Sequence, residues 1–272
     1  TGTATGAPTT DIEGNIRPNP AGSNPDMGAY ESVKGARVGG DKFYVMKTGS
    51  DTNDGSSASP FLTVQRGLDR TYHGDTLIVY PGLYEETVDY KGKNVVLASR
   101  YLTTNDSTYR DSTVIQGKVT MESLDSTAAL IGFMIYKDQV YVSGGSPVLK
   151  RLHIRERQGP GLQILSGANL TINDLEVKSN NNNKSSGNIN QHGGGIQISS
   201  STVTLNNAII DSNASFFGGG YYGGGLYSSG SHITITNSQM NDNISSYGGG
   251  IYSNGDSSFT LTNVSVLRDS TT

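Results

Sequence analysis

The sequence predicts an all-β solenoid, a parallel β-helix made of stacked coils, and three observations support this fold class. The first is a unit that occurs three times near the end of the chain, starting at Gly193, Gly223 and Gly248. Each unit begins with three glycines and an aliphatic residue. A second aliphatic residue follows nine or ten residues after the first, and an Asn lies two residues beyond it. The units start 30 and then 25 residues apart. A constant unit with a variable insert is typical of stacked repeats.

The second observation is that earlier segments align with these units in two aliphatic columns. The first column contains Leu149, Ile172, Leu205, Ile235 and Leu261, and the second contains Ile154, Val177, Ile210, Met240 and Val266. We expect Ile131 and Tyr136 to extend the two columns upstream. The third observation is composition: the 272 residues include 36 glycines and only 33% hydrophobic residues, which suits the thin core of a solenoid.

Composition and charge exclude several classes of function. The net charge is −4 and no Lys/Arg run occurs, which argues against a nucleic-acid partner. No apolar run approaches the ~20 residues of a membrane span. The chain has no cysteine, so the redox compartment cannot be inferred. It begins with Thr1 rather than Met, and we interpret it as a piece of a longer protein.

Residues 1–32 contain four prolines and no regular pattern, which predicts loop structure or a disordered leader. Two stretches are more specific: Asp11-Ile12-Glu13-Gly14-Asn15, and Pro25-Asp26-Met27-Gly28-Ala29-Tyr30-Glu31. Together they resemble the closing signature of bacterial secreted parallel β-helix domains. The resemblance implies that residues 1–32 are a C-terminal-type tail of a preceding β-helix, or a cap on a neighbouring one.

A helix is predicted near 60–72, because Ser59 can cap it and Pro60 suits its first turn. Its apolar face consists of Phe61, Val64, Leu68 and Tyr72. Such a helix would cover the exposed first coil of a solenoid. Beyond it, short strands separated by polar turns are expected at 95–97, 114–115, 119–121, 129–136, 140–142 and 148–154.

The segment from Gly49 through Pro60, together with Gly74-Asp75 and Pro81–Glu86, resembles the N-terminal part of the pectate-lyase-like superfamily. The resemblance implies a right-handed parallel β-helix over residues 33–272 with a short N-terminal capping helix. The strong preference for right-handed parallel crossovers agrees with this. The superfamily includes uronate-cleaving enzymes and non-enzymatic surface proteins.

The triple glycines are interpreted as coil corners, where positive φ or close backbone approach excludes other residues. The structural glycines are Gly195, Gly225 and Gly250. Asn207, Asn237 and Asn263, with Asp174 at the equivalent place, are predicted to form a column that hydrogen-bonds neighbouring coils, with Asn263 buried. Repeats of this kind over 190–270 resemble those of bacterial autotransporter and polymorphic outer-membrane passenger domains.

No resident cofactor is expected, and one weak cation site was considered. Asp51, Asn53 and Asp54 offer oxygen ligands for Ca²⁺. No glutamate occupies the position that an EF-hand loop would require, so a polar capped turn before the helix is favoured over a calcium site.

A lyase of this superfamily is expected to use a Lys or Arg base, usually with Ca²⁺ held by acidic residues. The basic candidates are Lys150, Arg151, Arg155 and Arg157. The acids near them, Asp138, Glu156, Asp174 and Glu176, are scattered in the sequence. A solvated polar face is therefore favoured over a catalytic one.

The leading hypothesis is a non-enzymatic structural or adhesion module of an extracellular or cell-surface protein. No closing segment follows Asp269-Ser270-Thr271-Thr272, so residues 1–32 are expected to dock head-to-tail on the open end of another β-helix. Two alternatives stay open. One is a polysaccharide lyase that acts on acidic glycans. The other is a glycan-binding β-helix without turnover, with stacking platforms at Tyr221, Tyr222, Tyr227 and Tyr252.

Overall fold

The computed structural model describes residues 5–6, 8–12, 40–182, 192–215, 222–256 and 258–271. The chain divides into two compact units, Thr1–Gly39 and Gly40–Thr272. Most of the first unit, and so most of the predicted tail segment, lies outside the described residues, and its role stays a prediction. The second unit is the β-helix.

The regular structure in the described part of the second unit is mainly parallel strands, with three brief helices. The helices are α1 (Val64–Arg70), α2 (Tyr101–Thr104) and α3 (Thr108–Ser112). The strands are β1 (Lys42–Val45), β2 (Thr76–Val79), β3 (Gly82–Tyr84), β4 (Val88–Asp89), β5 (Val96–Ser99), β6 (Thr113–Ile115), β7 (Val119–Leu124), β8 (Ala129–Ile131), β9 (Met134–Tyr136), β10 (Val140–Gly145), β11 (Val148–Arg155), β12 (Leu162–Leu165), β13 (Asn169–Lys178), β14 (Asn181–Asn182), β15 (Ile196–Ser199), β16 (Thr202–Asp211), β17 (Ala214–Ser215), β18 (Leu226–Ser229), β19 (His232–Asn241), β20 (Ile244–Ser245), β21 (Ile251–Asn254), β22 (Ser258–Leu267) and β23 (Ser270–Thr271).

Among the described residues these strands form three parallel sheets. The first sheet runs β1-β2-β5-β8-β11-β13-β16-β19-β22, with β3, β6 and β9 joined to it. The second runs β4-β7-β10-β12-β15-β18-β21, and the third runs β14-β17-β20-β23. The three sheets run side by side along the stacked coils, and from β13 onward successive coils contribute one strand to each sheet, as β16, β17 and β18 do. The predicted parallel β-helix is therefore confirmed. None of the described helices is long and apolar enough to cross a membrane.

The two predicted aliphatic columns are confirmed from β11 onward. Leu205 pairs with Ile172 and Ile235, and Ile210 pairs with Val177 and Met240. The inward-facing members of these columns are fully buried through β19. From β11 onward the core is therefore a narrow, mainly aliphatic column along the axis of the coils, whereas the earlier coils also bury Phe61, Tyr84, Tyr90 and Phe133.

The upstream extension of the columns is wrong by one residue. Leu130, not Ile131, pairs with Leu149, and Ile135, not Tyr136, pairs with Ile154. Because side chains alternate between the faces of a strand, a shift of one residue moves a side chain from the core to the outside. Leu130 and Ile135 are both fully buried.

The predicted column at Asn207, Asn237 and Asn263 exists, but it lies on the outside, and Asn263 is exposed rather than buried. These residues have φ of 59°, 51° and 53°, a left-handed conformation that bends each long strand of the first sheet. Their amides bond to side chains of the neighbouring coil, as when Asn263 Nδ2 donates to Asn237 Oδ1 at 2.8 Å. Asn adopts this left-handed backbone conformation more readily than most residues, which explains why Asn occurs at these positions.

The buried column of polar residues lies instead six residues further along each repeat. It contains Asn180, Asn213, Asn243 and Asp269, and we call it the amide ladder. The three asparagines are fully buried. The triple glycines make room for this ladder: a Cβ at Gly195 would lie 3.0 Å from the Asn213 amide and 2.7 Å from the carbonyl oxygen of Gly225. Gly195 thus shows close backbone approach, while positive φ occurs at the first glycine of each triplet, Gly193, Gly223 and Gly248.

The capping helix is present but shorter than predicted. α1 begins at Val64 with Thr63 as its N-cap, so Ser59 and Pro60 lie before it. The reason is that Phe61 is extended and bonded to β1, with its N–H donating to Tyr44 O at 2.9 Å. Tyr72 is exposed and lies beyond the helix.

Candidate functional site

A cleft of about 200 Å³ lies on the outer face of the first sheet, beside α3. The residues that line it are Arg110, Arg151, Asp174, Leu175, Glu176, Asn207 and Ile209. Three adjacent strands, β11, β13 and β16, supply most of its floor. The helix α3 was not predicted, because it belongs to a polar insertion between β5 and β6 that lacks the repeat pattern.

Ion pairs join α3 to the sheet. The Arg110 guanidinium makes a bidentate pair with Asp111, at 2.8 and 2.9 Å, and its Nη2 lies 3.2 Å from Glu176 Oε2. Asp111 Oδ1 lies 3.1 Å from His153 Nδ1 on β11. Lys178 Nζ approaches Glu176 Oε1 to 2.8 Å. The charges on this side of the cleft are therefore compensated within the chain.

The titration of these groups follows from burial and pairing. Burial lowers the pKa of His153, so its imidazole is neutral at pH 7. Burial raises the pKa of Glu176, but the hydrogen bond from Lys178 and the nearby cationic groups outweigh it and the net shift is downward. Glu176 is thus a carboxylate at neutral pH, next to two fixed cations.

Arg151 is the one lyase candidate among the described residues that lines the cleft. Its φ is 54°, which places it at the bend of β11 that Asp174 and Asn207 occupy on the next two coils. Its Nε lies 3.4 Å from Asp174 Oδ2 and its guanidinium lies over the Tyr101 ring, 4.9 Å from the centroid. The guanidinium is thereby oriented but only loosely paired.

The other three basic candidates do not share the cleft. Lys150 is exposed on β11. Arg155 forms an ion pair with the neighbouring Glu156. Burial lowers the pKa of Arg157, whose closest acid is Asp138 at 3.8 Å. The structure therefore separates the predicted basic group.

The acids Asp174 and Glu176 are not scattered, as the sequence suggested, because both line the cleft with Arg151. Asp174 could have been found by aligning β11 with β13, since Leu152 pairs with Leu175. Arg110 could not have been found this way, because no repeat carries its position.

The residues considered for Ca²⁺ form hydrogen bonds within their own loop. Asp51 Oδ1 accepts from the N–H groups of Leu62 and Thr63 at 3.0 and 2.9 Å. Asn53 donates to Pro60 O at 2.9 Å, and Asp54 accepts from Ser56 N at 2.9 Å. In the described ranges no three or more His, Cys, Asp or Glu side chains are grouped as metal ligands. These contacts correspond to the polar capped turn, and a calcium site here stays a prediction.

The tyrosine candidates form part of an aromatic cluster on the second sheet. Tyr227 and Tyr252 are stacked at 6.0 Å with a 4° interplanar angle, and Tyr222 lies 4.4 Å from Tyr252. His192 and Tyr247 complete the cluster and were not predicted. Tyr227 is only 7% exposed, contrary to its predicted role as an exposed platform, and Tyr221 lies outside the described residues.

The last described coil carries the final members of both aliphatic columns. Leu261 is 46% exposed and Val266 is 45% exposed, although the residues below them in their columns are fully buried. Asp269 ends the amide ladder on the same coil, and its Oδ2 is buried with no hydrogen-bond partner in the described part of the chain.

Comparisons with known proteins give limited matches. No family model matches the chain. The uncharacterized protein YwoF of Bacillus subtilis is 36% identical over 63 residues, which cover 23% of this chain and only 14% of YwoF. Two solved structures are similar in outline, each with 14% identity. The match to pectate lyase Pel9A has a TM-score of 0.48 and covers 85% of this chain and 78% of the Pel9A chain. The match to a rhamnogalacturonan lyase has a TM-score of 0.43 and covers 79% of this chain and 73% of the lyase chain. Likeness at this level implies no reaction for this chain.

Proposed function

We propose that this chain is a non-enzymatic structural module of an extracellular or cell-surface protein, in which β-helix coils stack head-to-tail on further coils of the same or a neighbouring chain. The observation that carries the proposal is the parallel stacking of the described coils, in which Leu261 and Val266 continue two columns that are buried wherever another coil lies above them. An added coil would remove this apolar surface from water, at a gain of roughly 25 cal/mol per Å².

The strands of the last coil support stacking as well. Within the described residues, β21, β22 and β23 pair with β18, β19 and β20. A parallel strand can pair on both sides, so each of them offers a template for further main-chain pairing. A coil that pairs there would extend both the hydrogen-bond ladders and the aliphatic columns.

The occupant we propose is the segment 1–32 of a neighbouring copy. It belongs to a unit separate from the β-helix, and its sequence resembles a segment that closes β-helices. A segment of one copy that covers the end face of the next is a heterologous contact, and repetition of this contact builds an open filament.

The test is the assembly state of the full chain over a range of concentrations, by sedimentation velocity. The wild type is expected to form head-to-tail oligomers, and the double variant Leu261→Lys/Val266→Lys is expected to stay monomeric. Leu83→Lys is the matched control, because Leu83 is 44% exposed on the side of the solenoid. A wild type that stays monomeric at every concentration, or a double variant that assembles like the wild type, would overturn the proposal.

A second candidate function is the binding of an acidic glycan in the cleft. The loosely paired Arg151 guanidinium and the exposed side chain of Ile209 favour a ligand with both a carboxylate and an apolar ring face. Cleavage by elimination would need a base there, and Arg110 and Arg151 are the basic residues that line the cleft in the described part of the chain.

Titration with polygalacturonate distinguishes these possibilities. Loss of binding in Arg151→Gln but not in Lys150→Gln would support the cleft, and growth of the ultraviolet absorbance of an unsaturated uronate would support a lyase. Binding that is lost only in Tyr252→Ala would place the glycan on the aromatic cluster. No binding to the wild type would remove the glycan hypotheses and leave the stacking proposal unchanged.

A further inference from the structure

The amide ladder has one member of different chemistry. Along the ladder, the main-chain N–H of each residue donates to Oδ1 of the residue on the next coil. The distances are 3.1 Å from Asn180 to Asn213, 3.0 Å from Asn213 to Asn243 and 2.6 Å from Asn243 to Asp269. The carboxyl group of Asp269 therefore occupies an asparagine position, with Oδ1 placed as an amide oxygen would be.

Each ladder amide also donates from Nδ2 to a main-chain carbonyl of the preceding coil. The partners are Ile154 O for Asn180, Val177 O for Asn213 and Ile210 O for Asn243, at 3.2, 2.9 and 2.9 Å. Met240 is the residue in register with Ile210 on the next coil. The carbonyl that corresponds to these partners at Asp269 is therefore that of Met240.

The second carboxyl oxygen takes the place of the amide nitrogen of the other coils, but it lies closer to its glycine. A Cβ built on Gly225 would lie 3.1 Å from Asn243 Nδ2, whereas a Cβ built on Gly250 would collide with Asp269 Oδ2. Oδ2 is buried and has no hydrogen-bond partner among the described residues. By analogy with the ladder amides, Oδ2 is directed to the Met240 carbonyl, and an ionised Oδ2 would then meet a carbonyl oxygen with no proton between them, which is unfavourable in a buried place.

The charges nearby do not stabilise an ionised Asp269. Burial raises its pKa, and the carboxylates of Asp242 and Asp211 raise it further, against the lowering effect of hydrogen bonds from Asn243. Arg268 is the adjacent cation, but it makes a bidentate pair with Asp242 at 2.7 and 2.7 Å. Lys178, 3.6 Å from Asp211, is paired with Glu176 as well.

We propose that Asp269 is held as the neutral carboxylic acid, with its Oδ2 proton donated to the carbonyl oxygen of Met240, and that loss of this proton to solvent loosens the last coil. The group then acts as a fourth ladder amide at acidic pH and as a defect at alkaline pH. Because the end face that we propose for stacking belongs to this coil, stacking is strengthened by acid. This last step alone rests on the proposed function.

The direction of the change in stability with pH follows from the linkage between protonation and folding. An acid whose pKa is raised by folding contributes stability that is fully present below its unfolded pKa, about 3.9, and is lost as the pH rises through the folded value. Asp269→Asn supplies the amide permanently. It should therefore stabilise the protein at alkaline pH and have little effect at acidic pH.

The experiment compares hydrogen exchange of the peptide covering β22 and β23, and the melting temperature, in wild type and Asp269→Asn at about pH 3.5, below the unfolded pKa, and at about pH 8. At the higher pH the variant is expected to exchange more slowly and to melt about 2–4 °C higher. At the lower pH the difference is expected to shrink toward zero. Asp54→Asn is the control: Asp54 is an aspartate in the loop after β1, at the opposite end of the first sheet from β22, so its substitution should leave the exchange of the β22–β23 peptide unchanged at both pH values.

An Asp269→Asn variant that is less protected than the wild type, or whose advantage is the same at both pH values, would overturn the assignment of the proton. Sedimentation at both pH values tests the stacking step separately. A stability difference that depends on pH, without assembly at either pH, would uphold the proton and reject the stacking. Assembly that is insensitive to pH would reject the link between them.

Discussion

His153 Nδ1 lies 3.1 Å from Asp111 Oδ1, and this contact joins strand β11 to helix α3 across 42 residues of sequence. The imidazole is buried, with Nε2 unpartnered among the described residues, while the carboxylate is half exposed. Asp111 also holds Arg110, which reaches into the cleft. The position of α3, and with it one wall of the cleft, thus depends on a pair of titratable groups.

Acid is expected to loosen α3 at the weakly acidic pH where His153 becomes charged. Burial lowers the pKa of His153, so its contribution to stability is complete above about pH 6.5 and is lost as the pH falls through the lower folded value. Burial raises the pKa of Asp111, but the bonds from Arg110 and His153 lower it more, so its contribution is lost only at more acidic pH. The protection factors of residues 101–112, which are exchange rates corrected for their intrinsic pH dependence, should therefore fall as the pH falls below about 6.5. In His153→Gln this loss of protection should be absent, and an equal loss in the variant would contradict the assignment.

Glu86 is expected to stabilise the capping helix from outside. Its two carboxyl oxygens accept from the N–H groups of Val64 and Gln65, at 2.8 and 2.9 Å, which satisfies two donors at the N-terminus of α1. Glu86→Ala should lower the free energy of unfolding by about 1–2 kcal/mol, measured by urea denaturation. The neighbouring Glu85 is exposed, so Glu85→Ala should change it by less than about 0.5 kcal/mol. Equal effects of the two variants would show that the capping contacts do not contribute.

We expect substitution of Gly224 to destabilise the protein more than substitution of a glycine in an open turn. A Cβ there would collide with the main-chain oxygens of Gly249 and Ile244, which cannot move without separating two coils. Gly224→Ala should destabilise the protein by about 3 kcal/mol or more in thermal unfolding. Gly230 has φ of +58° but no atom closer than Ser200 Oγ at 4.0 Å, so Gly230→Ala should cost only the backbone strain of about 1–2 kcal/mol. A milder effect at Gly224 than at Gly230 would contradict the close approach of the coils.

The two asparagine columns are expected to differ in their contribution to stability. Asn243→Ala removes the donor to Ile210 O and leaves buried groups unpaired, so it should cost at least the ~1–3 kcal/mol of an unsatisfied buried group. Asn237 is exposed, and its role is the left-handed bend at φ 51°, which glycine also adopts. Asn237→Gly should therefore change the free energy of unfolding by less than about 0.5 kcal/mol. Chemical denaturation of both variants measures the contrast, and a larger loss at Asn237 would reverse the assignment of the structural column.

The core could be predicted from the sequence because every coil places an aliphatic residue at the same inward position. An inward aliphatic residue must lie above another one, so Leu205 and Ile235 can be aligned without knowing where the loops go. The predicted register is wrong at Ile131. The coil is short there and the neighbouring residues are all apolar, so either register buries aliphatic side chains. The amide ladder was misassigned to Asn207 because a repeated Asn does not reveal whether its side chain points inward or outward.

The sequence by itself determined the stacked fold, the register of the later coils and the glycine corners, because these depend on periodic contacts between identical positions. Only the tertiary structure decided which asparagines are buried, since burial depends on the bend that Asn207 introduces into each long strand. It also decided the cleft, where Arg110 from an insertion meets Arg151 and Glu176 from two coils. A contact between an insertion and the repeated coils produces no periodic pattern in the sequence. The carboxyl group of Asp269 combines both kinds of information: the repeat reveals the substitution, and the ladder geometry reveals where its proton must lie.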